Sequence, residues 1–115
     1  MTLATSEDAG FLCIGKWRVD PALGEISSDG RTVRLEPLAM RLLLCLARHA
    51  GRPVELQRLL DEVWTGVIVA PGSVYQAIAQ LRRTLGDDTE HPTYIDTVPR
   101  KGYRLIAPVS PWVAL

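Results

Sequence analysis

The apolar positions change their spacing several times along the chain, and each change predicts a different element. From Phe11 to Asp20 the residues Phe11, Cys13, Trp17 and Val19 alternate in part with polar neighbours, interrupted at Ile14 and Gly15, which predicts one strand. Pro21-Ala22-Leu23-Gly24 predicts a turn. Glu25 to Ser28 and Arg31 to Leu35 flank Asp29-Gly30, a dipeptide that tolerates positive φ and favours a tight hairpin. The first third therefore reads as a small antiparallel sheet.

The period then becomes helical. Glu36-Pro37 opens a helix, because proline suits a first turn whose N–H has no partner anyway, and Gly51 closes it. Leu38 to Ala50 is apolar on nearly every side except at Arg41 and Arg48, which share one narrow stripe. Such a helix is central. Arg52-Pro53-Val54 reads as an extended connector, and Leu56, Leu59, Leu60, Val63 and Trp64 then form the apolar face of a second helix, with Gln57, Arg58, Asp61 and Glu62 opposite. Thr65-Gly66 stops it, and Val67 to Pro71 links it to a third helix, Gly72 to Leu85.

In that third helix Val74, Ile78, Leu81 and Leu85 make the buried stripe, leaving Ser73, Gln76, Ala79, Gln80 and Arg83 on the far side and Arg82 near the buried edge. A polar loop, Gly86 to Pro92, precedes two strands, Tyr94 to Val98 and Tyr103 to Ile106, around Pro99-Arg100-Lys101-Gly102. The order is sheet, three helices, hairpin. This is an α+β arrangement in which residues 11–109 form the domain, 1–10 a flexible tail and 110–115 a second tail.

With 115 residues the chain is the size of one domain, and 47% hydrophobic residues suit a packed core. Thirteen Lys and Arg balance thirteen Asp and Glu, so any affinity for nucleic acid has to come from local charge. There is no signal-peptide pattern and no apolar run long enough to span a bilayer, which makes the cytoplasm the expected location, without membrane contact. Cys13 and Cys45 lack CxxC spacing and a histidine pattern, so they read as reduced, packed thiols, and no metal site is expected. No nucleophile and base stand in a suggestive pattern and no phosphate-cradling glycine motif is present. An enzyme is not expected, nor a cofactor, nor catalytic residues.

Two features carry chemistry instead. Glutamine pairs bidentately with adenine, so Gln76 and Gln80 on an exposed helix face suit a major groove, although glutamines also decorate ordinary solvated helices. The hairpin sets Arg100, Lys101 and Arg104 within five residues, a local basic footprint in a neutral chain. Tyr94 is expected to pack, and Tyr103 suits packing and phosphate contact equally.

The runs LEPLAMRLLLCLARHAGRPV, LLDEVWTGV, SVYQAIAQLRRTLGDD and YIDTVPRKGYRL resemble the OmpR/PhoB-type winged-helix output domain, in particular its CadC-like branch, over about Phe11 to Val109. The resemblance implies a winged helix-turn-helix with the third helix in the major groove and the hairpin wing on backbone or minor groove. By position it implies base contacts from Gln76 and Gln80, phosphate contacts from Ser73, Arg82 and Arg83, and wing contacts from Thr97, Arg100, Lys101 and Tyr103. It further implies double-stranded DNA as partner, RNA polymerase contact through the 65–71 loop, and a second copy of the chain beside the first on repeated half-sites. Ala70 stands where that family often has an N-capping serine, Ala77 and Ala79 where it is often polar or basic, and Pro99 where a basic residue can occur. Such departures keep a rival reading open, a winged-helix protein-interaction module without DNA binding.

Overall fold

The structure, a computed structural model, describes residues 11–111. Among them the elements run β1 (Leu12–Ile14), β2 (Trp17–Asp20), β3 (Glu25–Ser28), β4 (Arg31–Arg34), α1 (Pro37–Arg48), β5 (Val54–Glu55), α2 (Leu56–Val63), α3 (Pro71–Leu85), β6 (Ile95–Val98), β7 (Gly102–Leu105) and β8 (Val109–Pro111). The strands form two antiparallel sheets, β4-β3-β2-β1-β8 and β5-β7-β6. The expected N-terminal tail, 1–10, lies outside the described residues, as do residues 112–115.

The expected first strand is two strands. Gly15 takes φ +58 and turns the chain at Gly15-Lys16, so that Ile14 pairs with Trp17 and both are buried. A side chain at Gly15 would also run into the Tyr94 ring, whose hydroxyl accepts a bond from the Lys16 amide at 3.4 Å. The break in alternation at Ile14 and Gly15 was therefore a hairpin and not a flaw in one strand. Asp29 and Gly30 take φ 52 and 78, the positive values that a tight hairpin between β3 and β4 requires.

Two short strands escape the hydrophobic pattern. β5, which starts at the last residue of the expected connector and includes Glu55, pairs with β7 and gives the wing a third strand. β8 returns to pair with β1, so Ser110 and Pro111, expected in a tail, belong to the N-terminal sheet.

One core joins all layers. Ile14, Trp17, Val19 and Ile26 of the first sheet meet the buried Leu42, Leu43 and Leu46 of α1, Leu59 and Val63 of α2, and the Val74, Ile78, Leu81 and Leu85 stripe of α3. Each such side chain contributes about 1.5–3 kcal/mol of burial. The Trp17 indole N–H donates to the Leu85 carbonyl at 3.2 Å and ties the sheet to the end of α3. Both cysteines are free, Cys45 buried in α1 and Cys13 half-buried in β1.

Candidate nucleic-acid interface

Helix α3 begins at Pro71, one residue earlier than its periodicity predicts, and its N-cap residue Ala70 offers no side-chain bond to the first amides. It ends at Gly86, whose φ of 76 lets the Gly86 and Asp87 amides turn back onto the carbonyls of Arg83 and Arg82. With the apolar stripe facing the core, Gln76, Ala79, Gln80 and Arg83 stand exposed and Ser73 half-buried at the edge. Among the described residues the side chains of Gln76, Gln80 and Arg83 have no hydrogen-bond or ion-pair partner, so their donors and acceptors are available.

The wing tip is a four-residue turn in which the Lys101 amide donates to the Val98 carbonyl at 3.0 Å. Pro99 takes the second position and Arg100 the third, with φ 64. A turn with proline second and a positive φ third favours glycine at that third place, so arginine there is strained by about 1–2 kcal/mol. The guanidinium of Arg100 and the ammonium of Lys101 are exposed at the tip without partners among the described residues.

Gly102 follows for a reason other than its φ. A Cβ there would meet the Val54 carbonyl oxygen, because β5 passes close against β7 at this point. The tip, Tyr75 of α3 and Leu56 of α2 line a groove of about 300 Å³, so wing and helix open on a common surface.

The hairpin's third cation is not available. Arg104 sits directly across from Asp96 in the β6–β7 register and binds its carboxylate at 2.8 Å, which reduces the basic footprint to Arg100 and Lys101. Arg82 bonds neither an acidic neighbour nor open solvent alone: one terminal nitrogen donates to the Ile95 carbonyl at 3.0 Å and the Thr97 hydroxyl at 2.8 Å. Thr97 and Arg82, expected as separate phosphate contacts, are thus one clamp between α3 and the wing. Tyr103 is only 8% exposed and packs in the core, while it also lines the groove beside the wing tip. Its ring lies 5.9 Å from the Arg82 guanidinium, and burial, reinforced by the neighbouring Tyr75 hydroxyl and opposed by Arg82, raises its pKa.

Asp87 fixes the other end of the wing. Its carboxylate accepts the amides of Thr93 at 2.7 Å, Tyr94 at 3.1 Å and Ile95 at 2.8 Å, together with the Thr93 hydroxyl at 3.1 Å. Burial by itself would raise its pKa, but the donors from Ile95, Thr93 and Tyr94 outweigh that and hold the carboxyl below its ordinary value. The loop after α3 is therefore a preset bend that aims β6.

The structure brings Arg82, Thr97 and Tyr103 together, sets Arg100 and Lys101 at the tip, and leaves Ser73, Gln76 and Gln80 along the opposite edge of α3, beside Glu36 and Leu38 at the start of α1. Sequence reasoning missed Tyr75, which is 53% exposed between α3 and the wing. Its place off the Val74-Ile78 stripe was a usable signal. It also missed Asp87 and Asp96, whose partners lie across a loop and a strand pair.

Residues 30–105 match the family model described as transcriptional regulatory protein, C terminal. The chain is 42% identical over 97 residues to the transcriptional activator CadC of Escherichia coli (strain K12), covering 84% of this chain and 19% of that protein. It is 36% identical to the cholera toxin transcriptional activator of Vibrio cholerae, covering 87% of this chain and 36% of that protein, so it spans well under half of either relative. Among solved structures, the DNA-binding domain of E. coli CadC superposes with a TM-score of 0.83 at 38% identity, covering 90% of this chain and 97% of that one. The Klebsiella pneumoniae RstA DNA-binding domain, solved in complex with the RstA box, gives 0.74 at 32% identity and covers 84% and 96%. With its helical core, exposed α3 and three-stranded wing, the chain belongs to the transcriptional regulatory protein C-terminal family, the OmpR/PhoB-type winged-helix domains, in their CadC-like branch.

Proposed function

We propose that this domain binds double-stranded DNA in a sequence-dependent way and controls transcription from the site it occupies. α3 enters the major groove, where Gln76 and Gln80 meet base edges, while Ser73 and Arg83 bond phosphates. Arg100 and Lys101 hold the backbone or minor groove from the wing, and the Arg82–Thr97 clamp, backed by Tyr103, sets the angle between the two elements and offers its remaining donors to phosphate. The observation that carries this reading is that the side chains of Gln76, Gln80 and Arg83 on α3 and of the two cations at the wing tip are exposed and, among the described residues, unpartnered. The solved RstA domain, bound to its box, supports it as a similar protein engaged with DNA.

The reading assigns no catalytic step and no cofactor, and sets the domain to work in the cytoplasm. In the 65–71 link Val67 and Ile68 are exposed, Ile68 fully at 101%, which suits contact with RNA polymerase beside the bound helix. A second copy on an adjacent half-site supplies the contacts that the short face, with Ala77 and Ala79, leaves unmade.

Selection from a pool of random duplexes tests the proposal. An enriched motif containing adenine at the positions facing α3 is expected, with retarded complexes on it. Equal recovery of all sequences, or no complex at low salt, would instead favour a protein-interaction module.

A further inference from the structure

Cys45 lies in the last turn of α1, and His49, the residue that caps the C-terminus of that helix, follows it four positions later. Glu62 reaches the pair from α2. Its Oε1 lies 3.4 Å from the Cys45 sulfur and its Oε2 3.8 Å from His49 Nε2, and one ligand atom from each of the three residues lies within 4.8 Å of the others. Ligands of a tetrahedral zinc ion, held at about 2.0–2.3 Å from the metal, stand roughly 3.3–3.8 Å from one another. The three groups are thus close to that spacing before any ion binds.

We propose that Cys45, His49 and Glu62 form a site for zinc or a chemically similar divalent transition metal, which staples α1 to α2. Sulfur, nitrogen and oxygen donors together suit zinc, whereas magnesium and calcium take oxygen sets. Three protein ligands leave a fourth position for water. Cys45 is buried while His49 and Glu62 are half-buried, so the fourth position faces solvent.

Charge closes as well. On binding, the Cys45 thiol proton leaves to solvent, and one thiolate and one carboxylate balance the divalent cation. Arg48 and Arg58, now 3.2 and 3.7 Å from Glu62, are 60% and 57% exposed and turn out into water as the ion takes their place. The alternative, a hydrogen-bonded group of Cys45, Glu62 and Arg48 with no ion, predicts the opposite outcomes below.

The metal-free 115-residue chain is titrated with cobalt(II), whose thiolate charge-transfer band reports sulfur ligation, and then with zinc. Expected are one equivalent of cobalt with that band, its displacement by zinc, and a higher melting temperature with zinc. Cys13→Ser keeps the band and Cys45→Ser abolishes it. Because Cys45 is buried, His49→Gln and Glu62→Gln provide the decisive variants if Cys45→Ser fails to fold; each lowers cobalt affinity at least tenfold. No charge-transfer band at stoichiometric cobalt, or a band with unchanged affinity in both His49→Gln and Glu62→Gln, overturns the proposal.

Discussion

Replacing Arg100 by glycine should strengthen the fold and weaken DNA binding at once, because Arg100 holds a left-handed backbone, φ 64, at the third position of the wing turn. Relieving that conformation returns about 1–2 kcal/mol. Glycine also gives the unfolded chain about 0.4–1 kcal/mol of extra entropy, which opposes the gain. The net is about 0.5–1 kcal/mol of stabilisation, or about 2–8 °C in melting temperature for a domain of this size. Against DNA the loss of one phosphate contact removes about 0.9 from the slope of log K against log salt, roughly eightfold in affinity at 0.1 M salt. Arg100→Ala separates the two effects, since it keeps the strain and loses the charge: its affinity should fall equally without a gain in melting temperature. Thermal melts and fluorescence anisotropy with labelled duplexes read both quantities. A lower melting temperature for Arg100→Gly, or an unchanged salt slope, would refute this account of the wing tip.

Gly102→Ala forces a methyl against the Val54 carbonyl and should cost about 3 kcal/mol or more while loosening β5 from β7, seen as a lower melting temperature. Asp87→Asn removes a carboxylate that accepts three backbone amides and should cost about 2–3 kcal/mol at neutral pH. The folded pKa of Asp87 is depressed, so its stabilisation is complete above the unfolded value of about 3.9 and is lost as pH falls through the folded value; melts from pH 7 downward should show the gap between variant and parent closing only in acid. Ala70→Ser supplies the missing N-cap of α3 and should raise stability by about 1 kcal/mol, measurable by urea denaturation.

The parts that could be read from the sequence are those in which neighbours along the chain decide the structure. The Val74, Ile78, Leu81 and Leu85 stripe set the buried face of α3 and, by difference, exposed Gln76, Gln80 and Arg83. Asp29-Gly30 specified its own turn through backbone freedom. What stayed hidden depends on partners far away in sequence. β5 and β8 span two and three residues and exist only because β7 and β1 lie beside them. Arg104 looked like a free cation until Asp96 faced it across the strands, and nothing near Arg82 in sequence announced that one of its terminal nitrogens bonds Thr97 and the Ile95 carbonyl. Cys45 and His49 stand four residues apart without the CxxC or paired-histidine pattern of a metal site, and Glu62, the residue that joins them, comes from another helix.

The central claim, that α3 reads sequence while the wing holds the backbone, is tested most directly by measuring affinity for the selected duplex and a scrambled duplex over a salt series, for the parent chain, Gln76→Ala and Gln80→Ala. The account predicts that each glutamine variant loses about 1–3 kcal/mol on the selected duplex, almost nothing on the scrambled one, and keeps the parent's salt slope. Equal losses on both duplexes would contradict it.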